Sequence, residues 1–255
     1  MLIKESLIHY IGNHLGNPIF KYRTKKESHS YSKNIQNCLN WYSNNQRQLE
    51  DEIKSGKHMG QLLSYIEETE INLDTKDGPI LELGVFRGGT TTCLAKFLMM
   101  INSKRKIFAC DTFSGFPYGD NVQNKLYGKL KQLSDSKFYV TAYPKTNVDY
   151  VNKKYKIFGV KNHIKIINGR FEDTLYHKLD DIKFSFVFSD SDLYKSTLFS
   201  LEFLKTRMCS GGIIAFHNYG KSEFGTWGEA DAVDEFSQKN KIKLHTEKSI
   251  PYFKF

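Results

Sequence analysis

Five short apolar runs, separated by segments with helical spacing, constrain the fold of this chain more than any other feature. The runs are ILELGV (80–85), KIFACD (106–111), HIKIIN (163–168), FSFVFSD (184–190) and GGIIAFHN (211–218). Runs this short and this continuously apolar are typical of strands buried on both faces, and helical segments between them favour parallel strands joined by crossovers. We therefore predict a doubly wound α/β sheet with helices on both faces and a ligand site beyond the carboxyl ends of its strands.

The chain divides at a turn signal, Asp77-Gly78-Pro79. Residues 1–77 are polar with helical spacing, and we predict that they form an N-terminal helical cap segment. Residues 78–255 form the ligand-binding domain. Within the cap, three stretches have the spacing of amphipathic helices: 34–41, 46–54 and 61–70.

A basic insertion is predicted between the second and third apolar runs, over about 118–161, because crossovers in such folds are commonly shorter. The net charge of the chain is +9, and the excess lies in the middle of the sequence. One stretch, 125–165, holds ten lysines against Asp135 and Asp149. Two interpretations stay open, a solvated lysine-rich face and an electrostatic funnel for a phosphate-bearing partner.

Compartment and membrane association are predicted from cysteine spacing and hydropathy. The four cysteines lie far apart without a Cys-x-x-Cys pair, which favours reduced thiols in the cytoplasm. No run approaches the roughly 18 apolar residues of a membrane span, and the N-terminus lacks a basic leader followed by an apolar stretch. We expect a cytoplasmic protein with no membrane span.

A glycine-containing loop follows the first apolar run, in the order Glu82-Leu83-Gly84-Val85-Phe86-Arg87-Gly88-Gly89. Such a loop before a helix brings backbone N–H groups close to a ligand. Phe86 stands where the dinucleotide fingerprint requires its second glycine, which argues against NAD. An acidic residue before a single glycine suits a cofactor with a positively charged amino-acid tail, such as S-adenosylmethionine. A tight turn without a ligand is the alternative.

Two further strand ends carry candidate cofactor contacts. Asp111 ends the second run, where a carboxylate can hold both ribose hydroxyls, although a helix N-cap would use the same residue type. The third run ends in Gly169-Arg170-Phe171, and a small residue beside an aromatic ring can wall an adenine. Phe171 fits an ordinary core position equally well.

Two carboxylates, Asp190 and Asp192, end the fourth run. Residues two apart on an extended chain point to the same side, so both can share one polar pocket. Carboxylates this close repel each other unless a positive charge lies nearby, and a sulfonium or a metal ion would supply it.

The sequence resembles the macrocin O-methyltransferase family of bacterial sugar methyltransferases over roughly residues 59–236. The resemblance rests on five motifs in order: ELGVFRGG (82–89), DTFSGFP (111–117), GRFEDTL (169–175), DSDLYKST (190–197) and GGIIAFHNYG (211–220). It implies a Rossmann-like methyltransferase sheet and an S-adenosylmethionine-dependent O-methyltransferase. By the resemblance, Glu82, Gly84 and Gly88 hold the methionine part, Asp111 the ribose, and Gly169, Arg170 and Phe171 the adenine side. The further candidate cofactor contacts are Phe86, Arg87, Thr112 and Asp190.

The resemblance also implies a metal and a general base. In that family the first aspartate of DSDLY ligates a divalent metal, the second is the base, and an Asp-Asp pair after the fifth strand completes the metal site. Here the pair is His217-Asn218. Asp190, His217 and Asn218 are the predicted ligands, for Mg²⁺ or rather Mn²⁺ because two charges are lost, and loss of the metal stays open. Asp192 and His217 are both candidate bases.

The acceptor implied by the resemblance is a hydroxyl of a carbohydrate. The lysines and aromatic residues of the basic insertion favour a nucleotide-activated sugar of bacterial surface-polysaccharide or natural-product biosynthesis. We predict that the basic insertion grips its diphosphate through Lys125, Lys129 and Lys131. The alternatives are a nucleic-acid methyltransferase, a catechol-type methyltransferase and a non-catalytic S-adenosylmethionine-binding protein. A nucleic-acid partner is disfavoured because the cap segment is neutral. The oligomeric state stays open, with a homodimer among the options.

Overall fold

The computed structural model describes residues 31–50, 53, 55–115, 146–222, 225–226 and 228–255. Within these residues the helices are α1 (Lys33–Leu49), α2 (Gly56–Ile71), α3 (Gly89–Met100), α4 (Val148–Ile157), α5 (Phe171–Leu179), α6 (Tyr194–Leu204) and α7 (Gly228–Asn240). The strands are β1 (Ile80–Leu83), β2 (Ile107–Asp111), β3 (Ile164–Asn168), β4 (Phe184–Ser189), β5 (Met208–Phe216), β6 (Lys221–Ser222), β7 (Gly225–Thr226), β8 (Leu244–His245) and β9 (Tyr252–Lys254).

The central sheet has seven strands in the order β3-β2-β1-β4-β5-β9-β8. The pairs among β1 to β5 are parallel, which confirms the doubly wound α/β prediction, whereas β9 and β8 add an antiparallel edge that the sequence analysis did not predict. The chain order reverses between β1 and β4, and ligands of open α/β sheets bind at such a switch point. The predicted first strand was two residues too long, because the chain turns at Gly84, whose φ is +88°.

The N-terminal helices share one apolar core with a face of the sheet. The stretch predicted at 34–41 and the first four residues of the one predicted at 46–54 form a single helix, α1, so the second prediction ran past the helix end at Leu49. Helix α1 begins after Ser32, whose side chain accepts a hydrogen bond from the backbone N–H of Ile35. In α2, Tyr65 is fully buried and donates to the carbonyl of Ile250 at 2.7 Å. The domain boundary at residue 77 stays a prediction, but α1 and α2 pack as an integral layer of the fold.

Helix α4 is the crossover between β2 and β3, so the C-terminal part of the predicted insertion belongs to the core. Val151 and Tyr155 are fully buried, and the Lys154 ammonium donates to the carbonyl of Leu49 at 2.6 Å. Lys154 and Tyr155 therefore stabilise the fold and do not form a solvated or acceptor-binding face. Residues 116–145, with Lys125, Lys129 and Lys131, lie outside the described residues. None of the described helices is long and apolar enough to cross a membrane.

Candidate active site

A cleft of about 860 Å³, open mouth included, lies beyond the carboxyl ends of β1, β2 and β4. That volume suits a cofactor-sized ligand. Among its lining residues are ten that the sequence analysis singled out: Glu82, Gly84, Phe86, Arg87, Asp111, Thr112, Arg170, Phe171, Asp190 and Asp192. The cleft joins the candidate cofactor residues and the paired aspartates in one space.

The loop after β1 passes very close to the end of β4. A Cβ atom on Gly84 would lie 2.1 Å from the backbone oxygen of Asp190, so only glycine fits there. Gly88 also has a positive φ, +73°, but a Cβ on it would meet the Tyr155 hydroxyl at 2.9 Å. Gly88 therefore faces α4, and its role is to let that helix approach, whereas Gly84 lines the cleft.

Glu82 lies at the floor of the cleft with its side chain nearly fully buried. Its carboxylate accepts a hydrogen bond from the Thr91 hydroxyl at the start of α3. Burial, with the negative charge of Glu82 added, raises the pKa of Tyr155 well above its usual value, so this phenol stays neutral. A buried carboxylate that faces the cleft suits the cationic amino group of a methionine tail.

Asp111 organises the loop that surrounds the cofactor position. One carboxylate oxygen accepts from the backbone N–H of Val85 at 2.7 Å and of Phe86 at 2.9 Å, and the other accepts from the N–H of Phe113 at 2.7 Å. Asp111 is therefore not a helix N-cap but a brace between the ends of β1 and β2. Asp111 still lines the cleft beside Thr112, where the sequence analysis places the ribose.

Replacing Asp111 by alanine is expected to weaken S-adenosylhomocysteine binding about 10- to 100-fold, because it removes three charge-assisted hydrogen bonds that shape the loop. Isothermal titration calorimetry measures the change. Asp181→Ala, at an exposed position before β4, is the control and should bind normally. Equal affinities of wild type and Asp111→Ala would show that the loop does not depend on this carboxylate.

The end of β3 supplies a third wall. Gly169 has a φ of +140° and donates its N–H to the carbonyl of Asp111 at 3.0 Å, so it connects the ends of β2 and β3. Arg170 and Phe171 line the cleft, and Phe171 also packs into the apolar core. Phe171 is therefore a core residue that also lines the cleft, and its contact with an adenine ring stays a prediction.

The polar end of the cleft is a hydrogen-bonded network of four side chains. The Nδ1 atom of His217 lies 2.7 Å from Oδ1 of Asp190. The Asn218 amide nitrogen lies 3.0 Å from the same oxygen and 2.6 Å from Oδ1 of Asp192. Asp192 has a φ of +57°, a conformation that non-glycine residues adopt sparingly and that recurs at functional sites. The structure thus brings together all four residues of the predicted catalytic end.

Glu229, at the start of α7, supports this network and was missed by sequence reasoning. It is fully buried, accepts from the Ser189 hydroxyl and from the Asn218 backbone N–H, each at 2.6 Å, and donates its own N–H to the Asp192 carbonyl. Burial raises the pKa of Glu229 to about 8, and the negative charge of Asp190 acts in the same direction. An acidic residue in the first turn of a helix is usually solvated, so the sequence held no signal of this role.

This raised pKa predicts a pH-dependent stability. The unfolded chain releases the Glu229 proton near pH 4.5, whereas the folded protein keeps it to about pH 8. The folded state binds more protons than the unfolded chain between these pH values. The contribution of Glu229 protonation to the stability of the fold is therefore full below pH 4.5 and is lost as pH rises to about 8. The melting temperature of wild type should fall relative to that of Glu229→Gln across this window. The melting temperature of Glu202→Gln, a change on the surface, should depend on pH as that of wild type does. If the melting temperature of Glu229→Gln also follows that of wild type, Glu229 is not a buried acid with a raised pKa.

Glu50 is a second residue that the sequence analysis missed. It follows α1 with a φ of +52°, lines the cleft, and contacts the Arg87 guanidinium at 3.0 Å and the Lys154 ammonium at 3.1 Å. The Tyr150 hydroxyl also donates to its carboxylate. The end of the N-terminal helix thus fixes Arg87, one of the predicted cofactor contacts, and closes one side of the cleft.

The family model of the macrocin-O-methyltransferases (TylF) matches residues 19–249. The chain belongs to this family. Its members are S-adenosylmethionine-dependent O-methyltransferases, so the chain is an enzyme of that class, and the resemblance inferred from the five motifs is confirmed.

The individual proteins that this chain resembles share less than a quarter of its residues in the aligned region. The 8-demethyl-8-(2,3-dimethoxy-alpha-L-rhamnosyl)-tetracenomycin-C 4'-O-methyltransferase of Streptomyces olivaceus is 24% identical over 197 residues, or 73% of each chain. The O-methyltransferase NovP superposes with a TM-score of 0.65 at 22% identity, covering 78% of this chain and 80% of its own. The calicheamicin methyltransferase CalS11 gives 0.58 at 18%, covering 91% and 95%. An apo structure of CalS11, described as a TDP-rhamnose 3'-O-methyltransferase, gives 0.52 at 17%, covering 91% and 97%. These solved structures support the fold.

Proposed function

We propose that this enzyme transfers the methyl group of S-adenosylmethionine to a hydroxyl of a sugar, and that its acceptor is a nucleotide-activated sugar. The observation that carries the proposal is the cleft itself. Its glycine-loop side suits the cofactor, and its other end presents Asp190 and Asp192. A relative that methylates a rhamnosyl group and a structural neighbour described as acting on TDP-rhamnose support a sugar acceptor.

In the proposed reaction the acceptor oxygen attacks the sulfonium methyl in line with the leaving sulfur. The new O–CH₃ bond forms as the S–CH₃ bond breaks, the sulfur takes the bonding electron pair and becomes neutral, and the hydroxyl proton passes to a base. Asp192 is the base that lines the cleft. The two carboxylates also attract the sulfonium before transfer, and the loop after β1 holds the cofactor so that the reacting atoms are aligned.

His217 supports the same step through Asp190. Since the carboxylate can only accept, Nδ1 of His217 carries the proton in the 2.7 Å contact, and Asp190 fixes the orientation of the imidazole. His58, from the first turn of α2, lies edge-on to this ring with 6.4 Å between centroids. Burial lowers the pKa of His58 to about 4, with the charges of His217 and Lys57 acting in the same direction, so His58 is neutral at physiological pH.

A methyl-transfer screen tests the proposal. Purified protein is incubated with S-adenosylmethionine and, in separate reactions, with nucleotide-activated sugars, the corresponding free sugars, glycosides, a catechol and RNA, and products are detected by mass spectrometry. We expect methylation of at least one nucleotide-activated sugar and much slower methylation of its free sugar. Equal rates on both would remove the nucleotide from the proposal, and methylation of a catechol or RNA alone would overturn the sugar acceptor. A nucleotide-sugar acceptor would also place the enzyme in cytoplasmic polysaccharide or natural-product biosynthesis.

A further inference from the structure

The group that joins the two carboxylates of the active site is the side-chain amide of Asn218. Its nitrogen lies within hydrogen-bonding distance of an oxygen of Asp190, at 3.0 Å, and of Asp192, at 2.6 Å. Carboxylate oxygens only accept hydrogen bonds, so the atom that faces them must be the NH₂ group, and each of its hydrogens reaches one carboxylate. Two acidic side chains that would otherwise repel each other are thereby held together by a neutral donor.

His217 presents a donor to the same carboxylate. Its Nδ1 atom lies 2.7 Å from the Asp190 oxygen that Asn218 also contacts, so Nδ1 carries a proton there. The Asp190 oxygen that would ligate an ion is therefore contacted by two N–H donors, and Asn218 turns its NH₂ group rather than its carbonyl oxygen toward both carboxylates. Among the described residues, no three His, Cys, Asp or Glu side chains converge in a way that could hold a metal ion.

The backbone fixes this donor arrangement. The N–H of Asn218 donates to Oε2 of Glu229 at 2.6 Å, and the N–H of Glu229 donates to the carbonyl of Asp192 at 3.1 Å. Glu229 is itself fully buried and held by Ser189. Asn218 and Asp192 are thus both hydrogen-bonded to Glu229 at the start of α7. These bonds hold the Asn218 amide in place between the carboxylates of Asp190 and Asp192. The divalent metal that the sequence resemblance implies therefore does not fit the donor set that this chain provides.

We propose that the Asn218 amide and the His217 imidazole take the place of the divalent ion, so that the catalytic end of this enzyme works without a metal. Asn218 is a positioning residue, which holds Asp190 and Asp192 in register by hydrogen bonds. The inference rests on the proposed function for its catalytic meaning, but the binding claim stands on the donor geometry alone.

A Mn²⁺ titration followed by electron paramagnetic resonance tests the binding claim directly. We expect no saturable binding by the wild-type protein up to about 1 mM Mn²⁺, which is about the dissociation constant of the weakest protein sites for hard cations. The double variant His217→Asp/Asn218→Asp replaces both donors by carboxylates. It should gain a saturable site and bind Mn²⁺ at least about tenfold more tightly than wild type.

The matched control makes the same two changes at exposed positions, His177→Asp/Asn162→Asp. It alters the net charge equally and should not gain the site. Saturable Mn²⁺ binding by the wild-type protein with an affinity similar to that of the double variant would overturn the proposal. A double variant that gains no Mn²⁺ binding would also overturn it. If the double variant does not fold, as judged by circular dichroism, the wild-type titration together with Asn218→Asp alone decides the question.

Activity supplies the second measurement. Wild-type methyl transfer to its sugar acceptor should change less than about twofold when EDTA is added, and Mg²⁺ or Mn²⁺ should not raise it. A large loss in EDTA that Mn²⁺ restores would overturn the metal-free site. If no sugar is methylated under any condition, the proposed function fails, whereas the Mn²⁺ titration still decides the present inference.

Discussion

The Asp192→Asn variant is expected to lose about 10²- to 10⁴-fold in kcat while binding S-adenosylhomocysteine within about threefold of wild type. The substitution removes the base that lines the cleft but keeps the size of the side chain, and the amide oxygen can still accept the hydrogen bond from Asn218. Asparagine also tolerates the positive φ of +57° at this position, so the fold should be retained. Steady-state kinetics and calorimetric titration of the cofactor product separate the two effects.

Asp181→Asn is the matched control for this prediction, because it makes the same chemical change at an exposed site near the amino end of β4. Its kcat should equal that of wild type. An undiminished kcat in Asp192→Asn would exclude Asp192 as the base and assign that role to the Asp190–His217 pair. In that case His217→Gln should abolish turnover, and the pH dependence of kcat in Asp192→Asn should keep the acidic limb of the wild-type profile.

The fold could be predicted from the sequence because its signals are local. Each of β1 to β5 is a short apolar run followed by a polar or glycine residue, and this pattern alone indicates buried parallel strands with a site at their carboxyl ends. The antiparallel edge, β9 and β8, was missed because strands of two or three residues carry no periodic pattern.

The site was predicted where its residues belong to contiguous motifs and was missed where distant elements contribute. Glu50 directly follows α1 and Glu229 lies in the first turn of α7, and an acidic residue in or beside a helix normally indicates a solvated face. Glu50 lies at the cleft because the end of α1 is beside Arg87 and Lys154, and Glu229 is buried where α7 begins beside Asp192. These contacts depend on tertiary packing, which no spacing within the chain reveals.

The environment of the Lys154 charge also depends on tertiary contacts that the sequence does not reveal. In the sequence it is one of ten lysines in a basic stretch and predicts an exposed face. In the structure its exposed fraction is 6%, because its aliphatic stem packs inside while its ammonium pairs with Glu50 and the carbonyl of Leu49. A buried lysine is tolerated when partners satisfy its charge, and those partners lie about a hundred residues earlier in the chain.

The His217-Asn218 pair was predicted to lie beside Asp190. Whether these two side chains ligate a metal or donate hydrogen bonds depends on which of their atoms face Asp190. The residue types alone permit both metal ligation and hydrogen-bond donation. The distances from Asp190 to His217 and to Asn218 assign both contacting nitrogens as donors, which a sequence cannot express.

Gly84→Ala is expected to damage both stability and catalysis, because a Cβ at this position would lie 2.1 Å from the Asp190 carbonyl oxygen. That neighbour is backbone at the end of a buried strand, so relief requires the loop after β1 or the end of β4 to move. The positive φ of +88° adds a cost of about 1–2 kcal/mol for any residue with a Cβ. With an overpacking cost of about 1–3 kcal/mol, the variant should lose about 2–5 kcal/mol of unfolding free energy.

Gly159→Ala separates the clash from the backbone strain. Gly159 also has a positive φ, +69°, but nothing lies within 4 Å of the Cβ position. Its variant should therefore lose only the strain component, about 1–2 kcal/mol, and keep wild-type kcat and cofactor affinity. Urea unfolding gives the two stability losses, and calorimetric titration should show weaker S-adenosylhomocysteine binding for Gly84→Ala alone. Identical losses in the two variants would mean that the β1 loop and the Asp190 backbone are not in close contact, and the geometry that places the cofactor beside the carboxylates would be wrong.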